Sequence, residues 1–168
     1  RKEPQKVAFI QCVGSRDESC GNSYCSSVCC TYAIKEAIIA KEHASGIEPT
    51  IFFIDRRTHG KDFDKYAERA QSEYGIAFIP SAVSDVIEDE TSHDLVVRYT
   101  DERGDAQSAR FQMVVLSVGL VAPDDAEHLA RSLGVKLNRH RMCTTNPFTP
   151  LETSRRGVFV CGAFSSPK

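Results

Sequence analysis

"KVAFIQCVGSRDESCGNSYCSSVCCTYAIKEA", residues 6–37, sets a short apolar run, a polar loop and a helical stretch end to end. "KVAFIQ" (6–11) reads as a buried parallel strand feeding a loop at "CVGS", so it delivers Cys12 at its carboxyl end. From about Tyr24 to His43 the spacing turns helical. Ala33, Ile34, Ala37 and Ile38 form one apolar stripe, and Lys35, Glu36, Lys41 and Glu42 line the wetter side. Ser23 or an earlier polar residue can cap the start, and Gly46 falls where the helix has ended. Strand, loop and helix in this order open a dinucleotide-binding domain, in which a G-x-G-x-x-G turn lets the backbone approach a pyrophosphate. Here that place reads "CVGSRD", with Gly14 alone, and the stretch 12–30 holds five of the chain's seven cysteines.

Outward from this stretch, "PTIFFIDRR" (49–57) reads as a second strand and "FDKYAERAQSEYG" (63–75) as a second helix stopped at Gly75. "IAFIPSAVSDVIE" gives one or two strands interrupted at Pro80. "DLVVRYT" and "ARFQMVVLSVG" flank "DERGD", a turn, so a hairpin is expected; its second arm continues into "MVVLSV" (113–118), which reads as fully buried. "DDAEHLARSLG" (124–134) is a short helix with an acidic start, and "GVFVCGAF" (157–164) a buried strand followed by a small-residue turn. The fold class expected is α/β, a three-layer, Rossmann-like nucleotide-binding arrangement of FAD/NAD(P)-binding type, with a mostly parallel sheet and an appended β-meander. Pro147 and Pro150 mark the one irregular stretch, 142–156.

The chain has 168 residues, 41% of them hydrophobic, enough to bury one core or two small lobes. A formal net charge of −2 supplies no basic field for nucleic acid, and no apolar run approaches the length of a membrane span. "RKEPQKVAFI" is not a signal peptide, so a cytoplasmic protein is expected; without an initiator Met, and stopping at "SSPK", the chain reads as an excised piece of a longer one. The odd, clustered cysteine count, with the vicinal pair Cys29-Cys30, does not resemble a secreted disulfide framework.

Residues four apart on a helix share a face, so Cys25 and Cys29 could point the same way with Cys30 one step round, and Cys12 could approach from the strand end. Thiolates at a helix amino end suit an anionic cluster such as a 4Fe-4S cubane. Tetrahedral zinc uses the same ligands, though the usual C-x2-C knuckles are absent, and inert thiols or a redox disulfide are the remaining readings. Cys20 is spare and a possible substitute ligand; Cys143, in a loop, and Cys161, in a strand, read as structural.

"FIQCVGSRD", "YCSSVCCTYAIKEA", "IDRRTHGKDFDKYAERA", "VVLSVGLVAP" and "GVFVCGAFSSPK", spread over essentially the whole chain, resemble the signatures of the heterodisulfide reductase HdrA family, iron-sulfur flavoproteins of anaerobes. The resemblance implies a fragment of a thioredoxin-reductase-like module, in which Cys12, Cys25, Cys29 and Cys30 ligate a 4Fe-4S cluster that replaces the nicotinamide beside FAD. Electrons would pass between FAD, the cluster and other heterodisulfide reductase-type subunits, donor and acceptor proteins. It implies an oxidoreductase, inactive as this piece alone, with FAD shared with a first half that this sequence does not contain. Residues 1–122 would be the NAD(P)-binding-like subdomain with the cysteine cluster, and 123–168 a truncated segment returning to the FAD-binding subdomain. Lys35 would be a cation near reduced flavin, or else an ordinary exposed lysine; the backbone amides of Gly162 and Ala163 would approach the cofactor, Ala163 standing where many relatives of that larger fold have Asp.

Two alternatives stand beside this one. Asp55 could read ribose hydroxyls, or Arg56 and Arg57 a 2′-phosphate, in an NAD(P)H-dependent reductase; or the thiols could hold zinc in a non-catalytic interaction domain. His43, His59, His93, His128 and His140 show no H-x3-H pairing and read as surface residues; "RHR" (139–141) and "RR" (155–156) are a docking patch or solvated loops, the latter preferred. No Ser/His/Asp order or nucleophile elbow supports hydrolysis.

Overall fold

A computed structural model describes residues 3–167. They divide into two units, one running through Val13 and resuming at Ser27–Val118, the other formed by Gly14–Ser26 and the chain from Gly119 onward.

The first unit contains seven strands, β1 (Lys6–Val13), β2 (Glu48–Phe53), β3 (Ala77–Pro80), β4 (Val83–Glu88), β5 (Leu95–Thr100), β6 (Ala106–Phe111) and β7 (Met113–Val118), and two helices, α1 (Cys29–His43) and α2 (Phe63–Ser72). A parallel sheet of order β3-β2-β1-β7 and an antiparallel β4-β5-β6 sheet make the expected parallel core with its meander. Alternation along the strands decides the layering. Val7, Phe9 and Ile51 join Ala33, Ile34, Ala37 and Ile38 of α1 and Ala67 and Ala70 of α2 in one core cluster. Their neighbours Ala8 and Phe52 turn to the other side and cluster with Val97 and Phe111 of the meander. Phe52 meets Tyr99 and Phe111 edge-on, with ring centroids 5.0 and 5.8 Å apart. Helices, parallel sheet and meander thus form three layers, with β1 and β2 of the parallel sheet buried on both faces.

Several elements differ from the sequence expectation. The first helix starts at Cys29 and not near Tyr24, because Ser27 is in the left-handed region (φ 61°) and the Ser26 amide donates to Ser15 Oγ at 3.2 Å. Its N-cap is Val28, with no side-chain cap, so Ser23 does not serve. "MVVLSV" is not fully buried: β7 is the sheet's edge strand, and Met113, Leu116 and Val118 are exposed. β2 ends at Phe53, before Asp55. Among the described residues, no helix is long and apolar enough to cross a membrane.

The second unit contains α3 (Ala126–Leu133), closed by Gly134 at φ 68°, whose amide donates to the carbonyls of Ala130 and Arg131. Ala130, Val135 and Cys143 form its small core, with Leu137, Val158, Val160 and Phe164 against it. Arg141 donates to the carbonyls of Pro123 and Asp124, and Arg155 to that of Leu133, so two of the arginines read as docking or loop residues brace the ends of α3. "GVFVCGAF" is not a buried strand. It holds one bridge, Glu152 to Phe159, with Phe159 and Cys161 exposed, and ends in a 3-10 turn, Gly162–Phe164.

Candidate redox site

In the first unit the carboxyl end of β1 meets the amino end of α1. β1 pairs regularly with β7 as far as Ile10, then slips, so that Val13 faces Val118; one extra residue lies in between. Cys12 sits in that irregularity with φ 61°, a conformation that a non-glycine residue adopts at a cost and one that recurs where function demands it. Cys29 and Cys30 are the first two residues of α1, both buried. That helix end has no side-chain cap and no acidic residue in its first turn, while Lys41 and His43 lie in its last. A helix amino end without a side-chain cap or an acid favours negative charge, and cysteines are the groups the sequence places there.

Around these thiols the polar groups are specific. The Cys29 thiol donates to the Val118 carbonyl at 3.7 Å and the Tyr32 hydroxyl donates to the same oxygen at 2.7 Å. Burial, a hydrogen bond with Cys29 and the charges of Cys29, Glu36 and Cys30 push the Tyr32 phenol above its ordinary pKa. Gln11 Nε2 donates to Ser117 Oγ at 2.8 Å, linking β1 to β7 within the helix-facing layer. Sequence reading missed Gln11, Ser117 and Tyr32. The signal was present for the first two, each a polar residue at the end of an apolar strand that should be buried.

In the second unit the loop Gly14–Ser26 is held by its own serines. Ser15 Oγ donates to the Tyr24 carbonyl at 3.1 Å, and Ser26 Oγ accepts from the Leu120 amide at 2.8 Å. Gly119 has to be glycine: a Cβ there would lie 2.7 Å from Ser15 Cβ and 2.8 Å from Ser26 Oγ. Cys25 lies half-buried in this loop, ahead of α1, so the helical spacing expected to align it with Cys29 does not apply. Tyr24 donates to the Leu120 carbonyl at 2.7 Å and sets its ring against His140, which is half-buried where a surface residue was expected. Cys20 is exposed, and its thiol donates to Asp17 at 3.3 Å. Cys143 is a buried core thiol whose pKa desolvation raises. Gly162 and Ala163 are exposed, with Gly162 at φ 70°, and a Cβ on Gly162 would meet nothing.

Lys35 is exposed on α1. Beyond β2, Arg57 clamps Asp55 through Nε and Nη2 at 3.0 and 2.9 Å, and Arg56 extends over the Phe78 ring at 5.9 Å. Among the described residues no three His, Cys, Asp or Glu side chains are gathered as a closed metal site.

Residues 20–168 match the pyridine nucleotide-disulphide oxidoreductase family. The chain belongs to that family. Curated relatives match over 99% of the chain: the iron-sulfur HdrA subunit of a CoB–CoM heterodisulfide reductase of Methanopyrus kandleri at 38% identity, and the corresponding subunit of the H2:CoB-CoM heterodisulfide, ferredoxin reductase of Methanothermobacter marburgensis at 39%. The family resemblance drawn from the sequence signatures is borne out by these matches. The chain spans about a quarter, 26%, of the length of each. Among solved structures, LpdA of Mycobacterium tuberculosis (TM-score 0.54, 13% identity, 97% of this chain and 30% of that one) and a bacillithiol disulfide reductase of Bacillus cereus (TM-score 0.54, 15%, 96% and 42%) share the fold.

Proposed function

We propose that this chain is the electron-transfer domain of an HdrA-like iron-sulfur flavoprotein of heterodisulfide reductase type, with Cys12, Cys25, Cys29 and Cys30 as ligands of a 4Fe-4S cluster. The observation that carries the reading is the start of α1, where vicinal buried cysteines occupy a first turn left without a side-chain cap or an acid. The donor set fits the group: thiolates are the ligands such clusters take, and uncapped amides favour their negative charge. Strain at Cys12 is consistent with a position held for its side chain. When bound, the cluster supplies one-electron storage. The protein's part is to hold the thiolates and to keep Cys29 and Cys30 buried from water.

FAD is the second cofactor, shared with a first half outside this sequence. Gly162, open and left-handed, fits a backbone that a flavin approaches, and Lys35 is the candidate cation beside its reduced form. In this reading residues 1–122 form the NAD(P)-binding-like subdomain and 123–168 return toward the FAD-binding one. Partners are other subunits of heterodisulfide reductase type, with donor and acceptor proteins, in the cytoplasm.

Anaerobic reconstitution of the full-length chain tests the reading. Iron and acid-labile sulfide in cubane ratio are expected, with an electron paramagnetic resonance signal after dithionite that is lost in Cys29→Ser/Cys30→Ser. Zinc without iron, or no metal, overturns it.

The family match favours one further reading, an NAD(P)H-dependent reductase using Asp55, Arg56 and Arg57. The Asp55 carboxylate is already bonded by Arg57, which leaves less of it for ribose hydroxyls. Flavin reduction on titration with NADH or NADPH would support this second reading.

A further inference from the structure

We propose that the Tyr32 hydroxyl tunes the cysteine site by donating a hydrogen bond to the sulfur of Cys29 when that sulfur is a ligating thiolate, an inference that rests on the thiolate reading of Cys29 above. Tyr32 stands three residues beyond Cys29 in α1, so the two share a face of the helix. A long helical side chain leans back over the turn that precedes its own Cα, which carries the Tyr32 ring toward the first turn, where Cys29 is buried. Both side chains end on one atom. The Tyr32 hydroxyl donates to the Val118 carbonyl at 2.7 Å, and the Cys29 thiol donates to the same oxygen at 3.7 Å. The phenol and the sulfur are also within reach of each other: after burial, a hydrogen bond with Cys29 is the cause that lifts the Tyr32 pKa above its ordinary value.

The Val118 oxygen can hold both donors only while Cys29 carries its proton. Metal binding displaces that proton to solvent, and the thiolate left behind has none to give. Its negative charge then faces the partly negative carbonyl oxygen, and the two repel. Tyr32 relieves this contact, because a phenol turns about its C–O bond and can direct its one proton to the sulfur or share it between sulfur and carbonyl. A charged acceptor binds a donor roughly twice as strongly as a neutral one, so the thiolate competes well with the carbonyl. An ordinary phenol keeps its proton at neutral pH, and Tyr32 therefore remains a donor throughout. A hydrogen bond to a ligating sulfur draws negative charge from it and raises the potential of the group it holds. Tyr32 is thus a positioning residue acting through Cys29, and the Val118 carbonyl, at the end of β7, keeps the hydroxyl within reach of the sulfur.

The test uses the full-length chain, reconstituted anaerobically, with iron and sulfide assayed. The midpoint potential is read by a redox titration followed by paramagnetic resonance, and exchangeable protons beside the reduced cluster by electron-nuclear double resonance in light and heavy water. Tyr32→Phe, which removes the hydroxyl and keeps the ring, is expected to hold the wild-type iron and sulfide content and to lose an exchangeable proton coupling. It is expected to shift the redox equilibrium about tenfold toward the oxidised form, roughly 59 mV lower for one electron. Fluorotyrosine at position 32, a stronger donor of nearly the same shape, is expected to shift it the opposite way by less. Should Tyr32→Phe fail to fold, as judged by circular dichroism, the fluorotyrosine shift decides. An unchanged potential or a retained coupling at full cluster content overturns the role of Tyr32 and leaves the cluster standing. A wild-type chain without iron and sulfide overturns the cluster reading, and this inference with it.

Discussion

The carboxyl ends of β1 and β2 lie side by side in one parallel sheet, on the edge where α/β proteins place their ligands, yet they are finished in opposite ways. The chain beyond β2 closes on itself, with Arg57 holding Asp55 in a two-pronged pair about 40% exposed (39% and 46% for the two side chains). The end of β1 is left open: a slipped register, a left-handed cysteine, a buried glutamine with one oxygen unbonded, and a neighbouring helix start without a cap. An end that is closed needs nothing else to be stable, whereas a buried polar group without a partner marks an end that a ligand can complete. In the general plan of this fold the first strand end receives a pyrophosphate through glycines; here thiols and an amide stand in that place.

The sharpest way to break the comparison is substitution at each end. Cys29→Ser/Cys30→Ser is expected to abolish iron and sulfide binding, whereas Arg57→Ala leaves the content at the wild-type level, as measured by metal and sulfide assay. Phe52→Ala, in the strand that leads to the closed end, removes a ring packed between Tyr99 and Phe111 and is expected to cost about 3–5 kcal/mol in urea unfolding. Gly119→Ala, just past the strand that carries Ser117, pushes a methyl group against Ser15 and Ser26 and is expected to cost about 1–3 kcal/mol by the same measurement. The smallest effect belongs to another closed pair, in the meander. Asp89 accepts from the Ser92 amide, from Arg110 and from the Thr91 amide, which hold its pKa down at about 2 from 3.8. A carboxylate with a lowered folded pKa adds stability above the unfolded value and loses it as pH falls toward the folded one. The wild type is therefore expected to lose stability between about pH 4 and 2 more steeply than Asp89→Asn, as followed by acid titration of the unfolding midpoint.

Much of the fold was legible because it follows from period. The stripe Ala33, Ile34, Ala37, Ile38 is buried as spaced, Gly134 closes α3, Pro80 ends β3, and the turn at Asp101–Asp105 joins two meander strands. What misled was chemistry that overrides period. Residues 24–28 have helical spacing, but Ser15 and Ser26 offer the backbone other bonds, and the helix waits until Cys29. "MVVLSV" and "GVFVCGAF" have the composition of buried strands, but burial depends on what covers a strand, which composition does not carry. At the candidate site the thiols announced themselves by number and spacing. Gln11 and Ser117 did not, since a lone polar residue in an apolar run gains meaning only once its opposite number is known.

The extra residue in β1 acts as a phase shift in the strand's two-beat alternation. Up to Ile10 the count is regular, and Ala8 falls on the meander face; an unbroken beat would carry Cys12 to that same face, away from α1. Between Ile10 and Val13 the beat is reset by one. A related sequence laid over this one without allowing for that beat would be paired out of step with β7 beyond Ile10, and a single-residue deletion here would move the cysteine without changing any cysteine.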